Sequence, residues 1–295
     1  MAALALRAQE TARPTFPLDV DMVNVTVTVR DGKGKLVSDL SADDFVLMDE
    51  GRPRKVAVFG RAHDPGQDRV LSLDLGLLLD TSESMLPELK LAQEAASRFL
   101  ESIPRARELY TVLFDEEIRI SRYDSEHQQG LFERIHAAKG GGNTALYDAL
   151  AAYLSRVEGV TGRKVVVLFS DGDDTRSSIT AGDALAVIRS SAVSIYPVAF
   201  GVGFSARQVK ARAFLQHIAT ISGGQVFSPT ASKDLADVFR RILDELGAQY
   251  VLGFLPDPDA PAGSFRRLEV EVKRPGLKVR HRAGYTTPGL PSASN

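Results

Sequence analysis

Three short stretches of this chain carry oxygen-bearing side chains that could do chemistry together: Asp80-Thr81-Ser82-Glu83-Ser84, Gly140-Gly141-Gly142-Asn143-Thr144 and Ser170-Asp171-Gly172-Asp173-Asp174. The donors singled out are two carboxylates, Asp80 and Asp171, and three hydroxyls, Ser82, Ser84 and Thr144. A hard divalent cation suits an oxygen-only set. Mg²⁺ is favoured where the geometry is octahedral and water holds several positions, with Mn²⁺ or Ca²⁺ as alternatives. Charge balance then decides the use. If hydroxyls bind directly and a carboxylate acts through water, the ion stays under-neutralised and accepts a carboxylate from outside in a short, geometry-dependent contact. A glutamate or aspartate of a partner protein would complete the octahedron. Glu83, Gly142, Asn143 and Asp173 would form the rim that such a partner meets.

Each stretch also has a plain structural reading. Asp-Gly and Gly-Gly-Gly-Asn are common turns, and Ser82 or Thr144 can cap a helix. The joint occurrence of all three at matching element ends is what favours the cation site, and a cap can also be a ligand.

Stepping from these residues to the elements that must hold them, Leu71–Leu79 is an apolar strand that ends in Asp80, and Val165–Phe169 is a fully apolar strand that ends in Ser170-Asp171-Gly172. Around them, helical spacing of Leu86, Leu89, Ala92, Ala96, Phe99 and Leu100 predicts a helix. Further helices are expected at Leu131–Lys139, Ala145–Val157, Gly182–Ser191, Ala206–Ile221 and Asp234–Leu246. Strands are expected at Tyr110–Phe114, Ile118–Ser121, Val193–Phe200 and Gln225–Ser228. Apolar strands alternating with amphipathic helices imply an α/β fold, a doubly wound, mostly parallel sheet with helices on both faces. Ligands of such sheets bind outside the carboxyl ends of the strands, where Asp80 and Asp171 fall.

The ends of the chain have another rhythm. Val23, Val25, Val27 and Val29 alternate with polar residues, Ser41 and Asp44 read as a capped short turn, and Phe45–Met48 with Lys55–Phe59 reads as a hairpin around Asp49-Glu50-Gly51. Tyr250–Leu255, Arg267–Lys273 and Leu277–Arg282 read as strands, with a loop at Pro256–Gly263. Few short strands bury a core alone. The two sets are therefore expected to combine into one small β-sandwich, of residues 17–62 plus 250–287, into which a unit of residues 70–249 is inserted. Residues 1–16 read as disordered or a signal remnant, and 288–295 as a tail.

Asp80, Ser82 and Ser84 in an Asp-x-Ser-x-Ser run, with Thr144 and with Asp171 in Ser-Asp-Gly, resemble the metal-ion-dependent adhesion site of von Willebrand factor type A domains. The resemblance covers roughly residues 70–249. It implies that Ser82, Ser84 and Thr144 ligate the ion, while Asp80 and Asp171 hold its waters or bind it directly. The flanking strands, with Phe45–Gly51 and Arg282-Ala283-Gly284-Tyr285, resemble a bacterial subgroup of type A-related proteins in which the sandwich is immunoglobulin-like. Many of these carry export signals, which favours an extracytoplasmic location, periplasmic, secreted or cell-surface, over a cytoplasmic one.

Composition narrows the alternatives. The chain lacks cysteine, which removes disulfides, thiolate catalysis and zinc-thiolate sites and leaves the redox compartment open. His63, His127, His136, His217 and His281 are scattered, form no HExxH pattern and stand outside the three loops, so no general base is evident there. No GxSxG elbow surrounds Ser82 or Ser84, and there is no Walker GxxxxGK[ST]. Aspartate-nucleophile phosphatases place a second carboxylate two residues on, where this chain has Ser82. A net charge of -2 without a basic block argues against nucleic acid as a partner. No apolar run reaches the roughly 20 residues that span a bilayer. A non-enzymatic adhesion module is the expected function. The rivals are a metal-dependent phosphoester hydrolase and, as in some type A domains, a scaffold subunit coupled to an intracellular ATPase.

Overall fold

The computed structural model describes residues 22–62, 72–103, 106–123, 129–160, 162–201, 205–229 and 232–287 of the 295. The expected segments 1–16 and 288–295, and Leu71 at the start of the expected Leu71–Leu79 strand, lie outside the described residues.

A five-stranded sheet lies at the middle of the chain, in the order β7-β6-β5-β8-β9. Its strands are β5 (Leu73–Asp80), β6 (Glu108–Phe114), β7 (Ile118–Tyr123), β8 (Arg163–Ser170) and β9 (Val193–Ala199). All pairs are parallel except the hairpin of β6 and β7. β5 and β8 are buried along their full length. This is why both read as apolar runs without alternation.

The side chains of β5 nevertheless divide between two faces. Leu75, Leu77 and Leu79 pack with helices α1 (Leu89–Ser102), α2 (Gln129–Ala137) and α6 (Ser232–Gly247). Leu78 packs with α3 (Leu146–Arg156), α4 (Ala181–Ser190) and α5 (Ala206–Ser222) on the other face. Helices thus cover both faces, and the chain leaves β5 first towards β6 and later returns to β8 on its opposite side. That reversal makes the carboxyl end of β5 the switch point.

The terminal strands form two antiparallel four-stranded sheets, β12-β1-β10-β4 and β13-β11-β2-β3. Their members are β1 (Val23–Arg30), β2 (Phe45–Asp49), β3 (Arg52–Arg54) and β4 (Val58–Arg61), with β10 (Tyr250–Phe254), β11 (Phe265–Val272), β12 (Lys278–Arg280) and β13 (Gly284–Thr286). Each sheet mixes strands from both ends of the chain, with Val25 opposite Leu252 and Leu47 opposite Val270. Val25, Val27, Phe45, Leu47, Tyr250, Leu252 and Val270 share one core between the sheets. This is the sandwich the alternating valines called for.

Three local expectations are corrected. The arm opposite β2 is Arg52–Arg54, joined by a two-residue turn at Glu50 (φ 50°) and Gly51 (φ 72°), whereas Val58–Arg61 crosses to pair with β10. Pro53 fits this edge position because it has no N–H to give a further strand. The segment Gln225–Ser228 makes only a single bridge, Phe227 to Val198, beside Pro197, which again has no N–H to extend a ladder. Leu86 is half exposed and precedes α1, which begins only after a 3-10 turn at Glu83–Met85 and Pro87. β13 is a strand that the sequence pattern did not foretell.

Candidate metal centre

Register brings the two acidic loops together. Leu79 stands opposite Phe169 in the β5–β8 pair, so the next residues, Asp80 and Ser170, end their strands side by side. Ser170 Oγ donates to Asp80 Oδ2 at 2.7 Å, and the Ser82 N–H donates to Asp80 Oδ1 at 3.0 Å. Both bonds are buried. Ser170 Oγ also accepts the Gly172 N–H at 3.0 Å, which folds the Ser-Asp-Gly turn back over the strand end. Asp171 follows, half-buried, with its Oδ1 accepting the Asp173 N–H at 3.0 Å.

The middle loop is tied to both others through the backbone. The Glu83 N–H donates to Gly142 O at 3.0 Å and the Gly141 N–H to Thr81 O at 2.9 Å. Gly142 has φ 75°, a conformation open to glycine at little cost. On the far side, the N–H groups of Thr175 and Arg176 both donate to Thr144 O at 2.9 Å, and the Thr144 N–H donates to Thr175 Oγ1 at 2.9 Å. The three loops therefore hold one another as a unit at the carboxyl edge of the sheet.

Within that unit Asp80, Ser82 and Thr144 are buried, Asp171 is half-buried and Ser84 is exposed. The Ser82 and Ser84 hydroxyls lie 3.2 Å apart. Of the rim residues, Glu83 and Gly142 are exposed, Asn143 Nδ2 donates to Glu116 Oε2 at 3.4 Å, and Asp173 forms an ion pair with Arg207. Among the described residues, no three His, Asp or Glu side chains gather as a metal-binding group. The donor set stays at two carboxylates and hydroxyls.

Burial pushes the Asp80 carboxyl up to about 7, against the lowering by bonds from Ser82 and Ser170, and the nearby Asp171 charge adds to the rise. No Lys or Arg bridges to Asp80 among the described residues. Beneath the first loop, Thr81 Oγ1 donates to Phe114 O at 3.1 Å and to Asp115 Oδ2 at 3.0 Å. Burial tends to raise the Asp115 carboxyl, but bonds from Arg119, the Glu117 N–H and Thr81 outweigh it and hold the group below its ordinary value.

Ser170, Asp115 and Thr175 are site residues that the sequence reading did not single out. For Ser170 a signal existed: it is the last residue of an apolar strand expected beside β5. Asp115 and Thr175 act through partners 34 and 31 positions away, which no local pattern discloses.

A family model described as the von Willebrand factor type A domain matches residues 74–241. Among solved structures, a von Willebrand factor type A protein from Catenulispora acidiphila is 14% identical with a TM-score of 0.51, over 94% of this chain and 76% of that one. The pilus adhesin SpaC of Lactobacillus rhamnosus GG, in its open conformation, is 10% identical with a TM-score of 0.51, over 83% of this chain and 48% of that one. The PilB minor pilin of Streptococcus sanguinis is 13% identical with a TM-score of 0.50, over 63% of each chain. At these identities the likeness is one of fold. The chain spans less than two thirds of the adhesin and the pilin, and 46% of the proximal thread matrix protein 1 from the mussel byssus. No curated protein matches the sequence. The family's domains are typically protein-interaction modules. With its fold, its switch-point loops and the matched residues in agreement, the chain belongs to the von Willebrand factor type A domain family.

Proposed function

We propose that this chain is a divalent-cation-dependent protein-binding module, in which Asp80, Ser82, Ser84, Thr144 and Asp171 hold the ion and a partner's Asp or Glu side chain completes its coordination. The observation that carries this reading is the stitching of three oxygen-bearing loops around Asp80, a buried carboxylate whose donors, Ser82 and Ser170, are neutral. Buried carboxylates are ordinarily paired with a cation or neutralised. The donor set fits Mg²⁺: adjacent oxygens of an octahedral ion with bonds of about 2.0–2.1 Å lie about 2.9 Å apart, close to the 3.2 Å between the Ser82 and Ser84 hydroxyls. A bound Mg²⁺ would supply Lewis-acid attraction for a carboxylate. The chain's own residues supply two carboxylates at most, and the exposed position of Ser84 leaves one side open to a partner.

The site is read as binding rather than catalytic, since none of the described histidines stands in the three loops. Glu83, Gly142, Asn143 and Asp173 form the rim. An extracytoplasmic location suits an adhesion module, and a pilus adhesin and a minor pilin carry this fold. Among the described residues no helix is long and apolar enough to cross a membrane.

Calorimetry of the full chain with Mg²⁺, with and without a Glu-bearing peptide, tests the reading. Thr144→Ala and Asp171→Ala are expected to weaken Mg²⁺ binding about tenfold or more and to abolish chelator-sensitive peptide capture while the folded spectrum persists. Peptide capture indifferent to chelator and to both substitutions would sink the adhesion-site reading. Metal-dependent turnover of a generic phosphoester, lost in the same variants, would replace it with the hydrolase.

A further inference from the structure

A cleft of about 470 Å³ opens beside the loops, running from Ser84 and Asp171 to the first two turns of α5. Its floor is apolar, with Ala199, Phe200 and Ala211. One wall is a face of α5 on which Arg207, Gln208, Ala211 and Arg212 fall together by helical spacing. The opposite edge is Pro87 and Glu88, just ahead of α1.

The charges of this cleft are not equally committed. Asp173 and Arg207 neutralise each other in an ion pair. Glu88 stands at the N-terminus of α1, where the helix dipole favours a carboxylate. Asp171 belongs to the proposed cation site. Arg212 is exposed and makes no ion pair among the described residues. It is therefore the cleft's unbalanced charge, set on the far wall from the point where a partner's first carboxylate would meet the metal.

We infer that the cleft is a second subsite for the same ligand: the partner is a protein segment with two acidic side chains, one for the metal and one for the Arg212 guanidinium. The inference rests on the adhesion-site reading above. A segment lying from Ser84 to α5 places apolar backbone and small side chains over Ala199 and Phe200, and its second carboxylate meets a planar, multi-donor cation suited to bidentate contact. Between the two acids the partner faces Asp171 of the cation site and the Asp173–Arg207 pair, so an intervening carboxylate finds no free cation there. The cleft thereby sets both the number of acids and their spacing, while the metal alone would accept any exposed Asp or Glu.

The test uses the full chain in Mg²⁺ and capped Gly/Ser decapeptides that carry one Glu, two Glu separated by two to five positions, or the matching Glu/Gln pairs. Dissociation constants are measured at low ionic strength with and without chelator. At one or more spacings the two-Glu peptide is expected to bind about threefold to tenfold tighter than its Glu/Gln counterpart. Arg212→Gln, at an exposed position, should erase that ratio and leave single-Glu binding unchanged, and Arg212→Glu should invert it. A ratio of one at every spacing, a ratio that survives Arg212→Gln, or no saturable binding by any two-Glu peptide overturns the inference. An Arg212-dependent ratio that persists in chelator upholds the subsite and overturns the metal reading instead. Chelator-sensitive binding without any second-acid preference does the reverse.

Discussion

Ser170 shows how much of the site depends on a residue outside the proposed ligand set. Its hydroxyl spans two buried groups, giving a hydrogen bond to Asp80 Oδ2 and taking one from the Gly172 N–H. The same atom thus orients the carboxylate at the end of β5 and shapes the turn that presents Asp171. Ser170→Ala leaves both groups buried without this partner, a loss of about 1–3 kcal/mol in unfolding free energy. It should also lower Mg²⁺ affinity, because Asp80 is then oriented by the Ser82 N–H alone. Asp171→Ala, at a half-buried position on the cleft side, should lower Mg²⁺ affinity with little change in stability. Urea unfolding and calorimetry on the two variants separate orientation from ligation. Equal stabilities for both would mean that Ser170 does not anchor the carboxylate.

At the scale of elements, what was legible in the sequence is what local pattern determines. β5 and β8 announced themselves because strands buried on both faces are continuous apolar runs ending in polar turns, and the valines of β1 because one face of a sandwich is wet. The choice of strand partners was not legible. Lys55–Phe59 read as the hairpin arm, but Arg52–Arg54 takes that place and Val58–Arg61 pairs with β10 in the other sheet. The loops themselves were legible as motifs, but their stitching by backbone hydrogen bonds was not, since the backbone carries no residue signature. Gly76 is another hidden fit. A Cβ there would meet the buried Tyr153 ring of α3 at 2.4 Å from Cζ and 2.7 Å from the hydroxyl, so β5 admits the helix only because its centre lacks a side chain. Gly76→Ala should cost about 1–3 kcal/mol through overpacking. In a Tyr153→Leu background the same change should cost much less, since the colliding ring is gone. Identical costs in both backgrounds, read from denaturant unfolding, would show that the strain arises elsewhere.

At the scale of the whole molecule, the proposed division sets a sandwich of residues 17–62 and 250–287 beneath a central unit of residues 70–249, and the question is what joins them. The strongest connection centres on Glu245, a fully buried residue near the end of α6. Its carboxylate accepts from Arg30 of β1 at 2.9 Å, from Arg280 of β12 and from the Tyr196 hydroxyl of β9 at 2.6 Å. Gln249 extends the network, donating to Tyr196 Oη at 2.9 Å and accepting from Arg163 of β8 at 3.2 Å. Arg280 adds bonds to Gly223 O at 3.1 Å and to Gln225 Oε1 at 2.8 Å at the end of α5. One carboxylate therefore gathers one sheet of the sandwich, the central sheet and the last helix, through partners up to 215 positions away. Removing it takes the carboxylate partner from two guanidinium groups and a phenol. For fully buried pairs that loss is about 3–5 kcal/mol, and because the Arg30 and Arg280 side chains are 28% and 27% exposed, about 3 kcal/mol is the expected figure here. Glu245→Gln keeps an acceptor and the side-chain volume, so it should lose less than Glu245→Ala. The distinguishing result is cooperativity. If Glu245 couples the two units, calorimetric unfolding of Glu245→Ala should separate into two transitions where the parent chain shows one, and the transition of the sandwich should move furthest because it loses both arginine anchors. A single transition with an unshifted midpoint in Glu245→Ala would assign the coupling to the apolar contacts between the units and leave Glu245 as a local cap on α6.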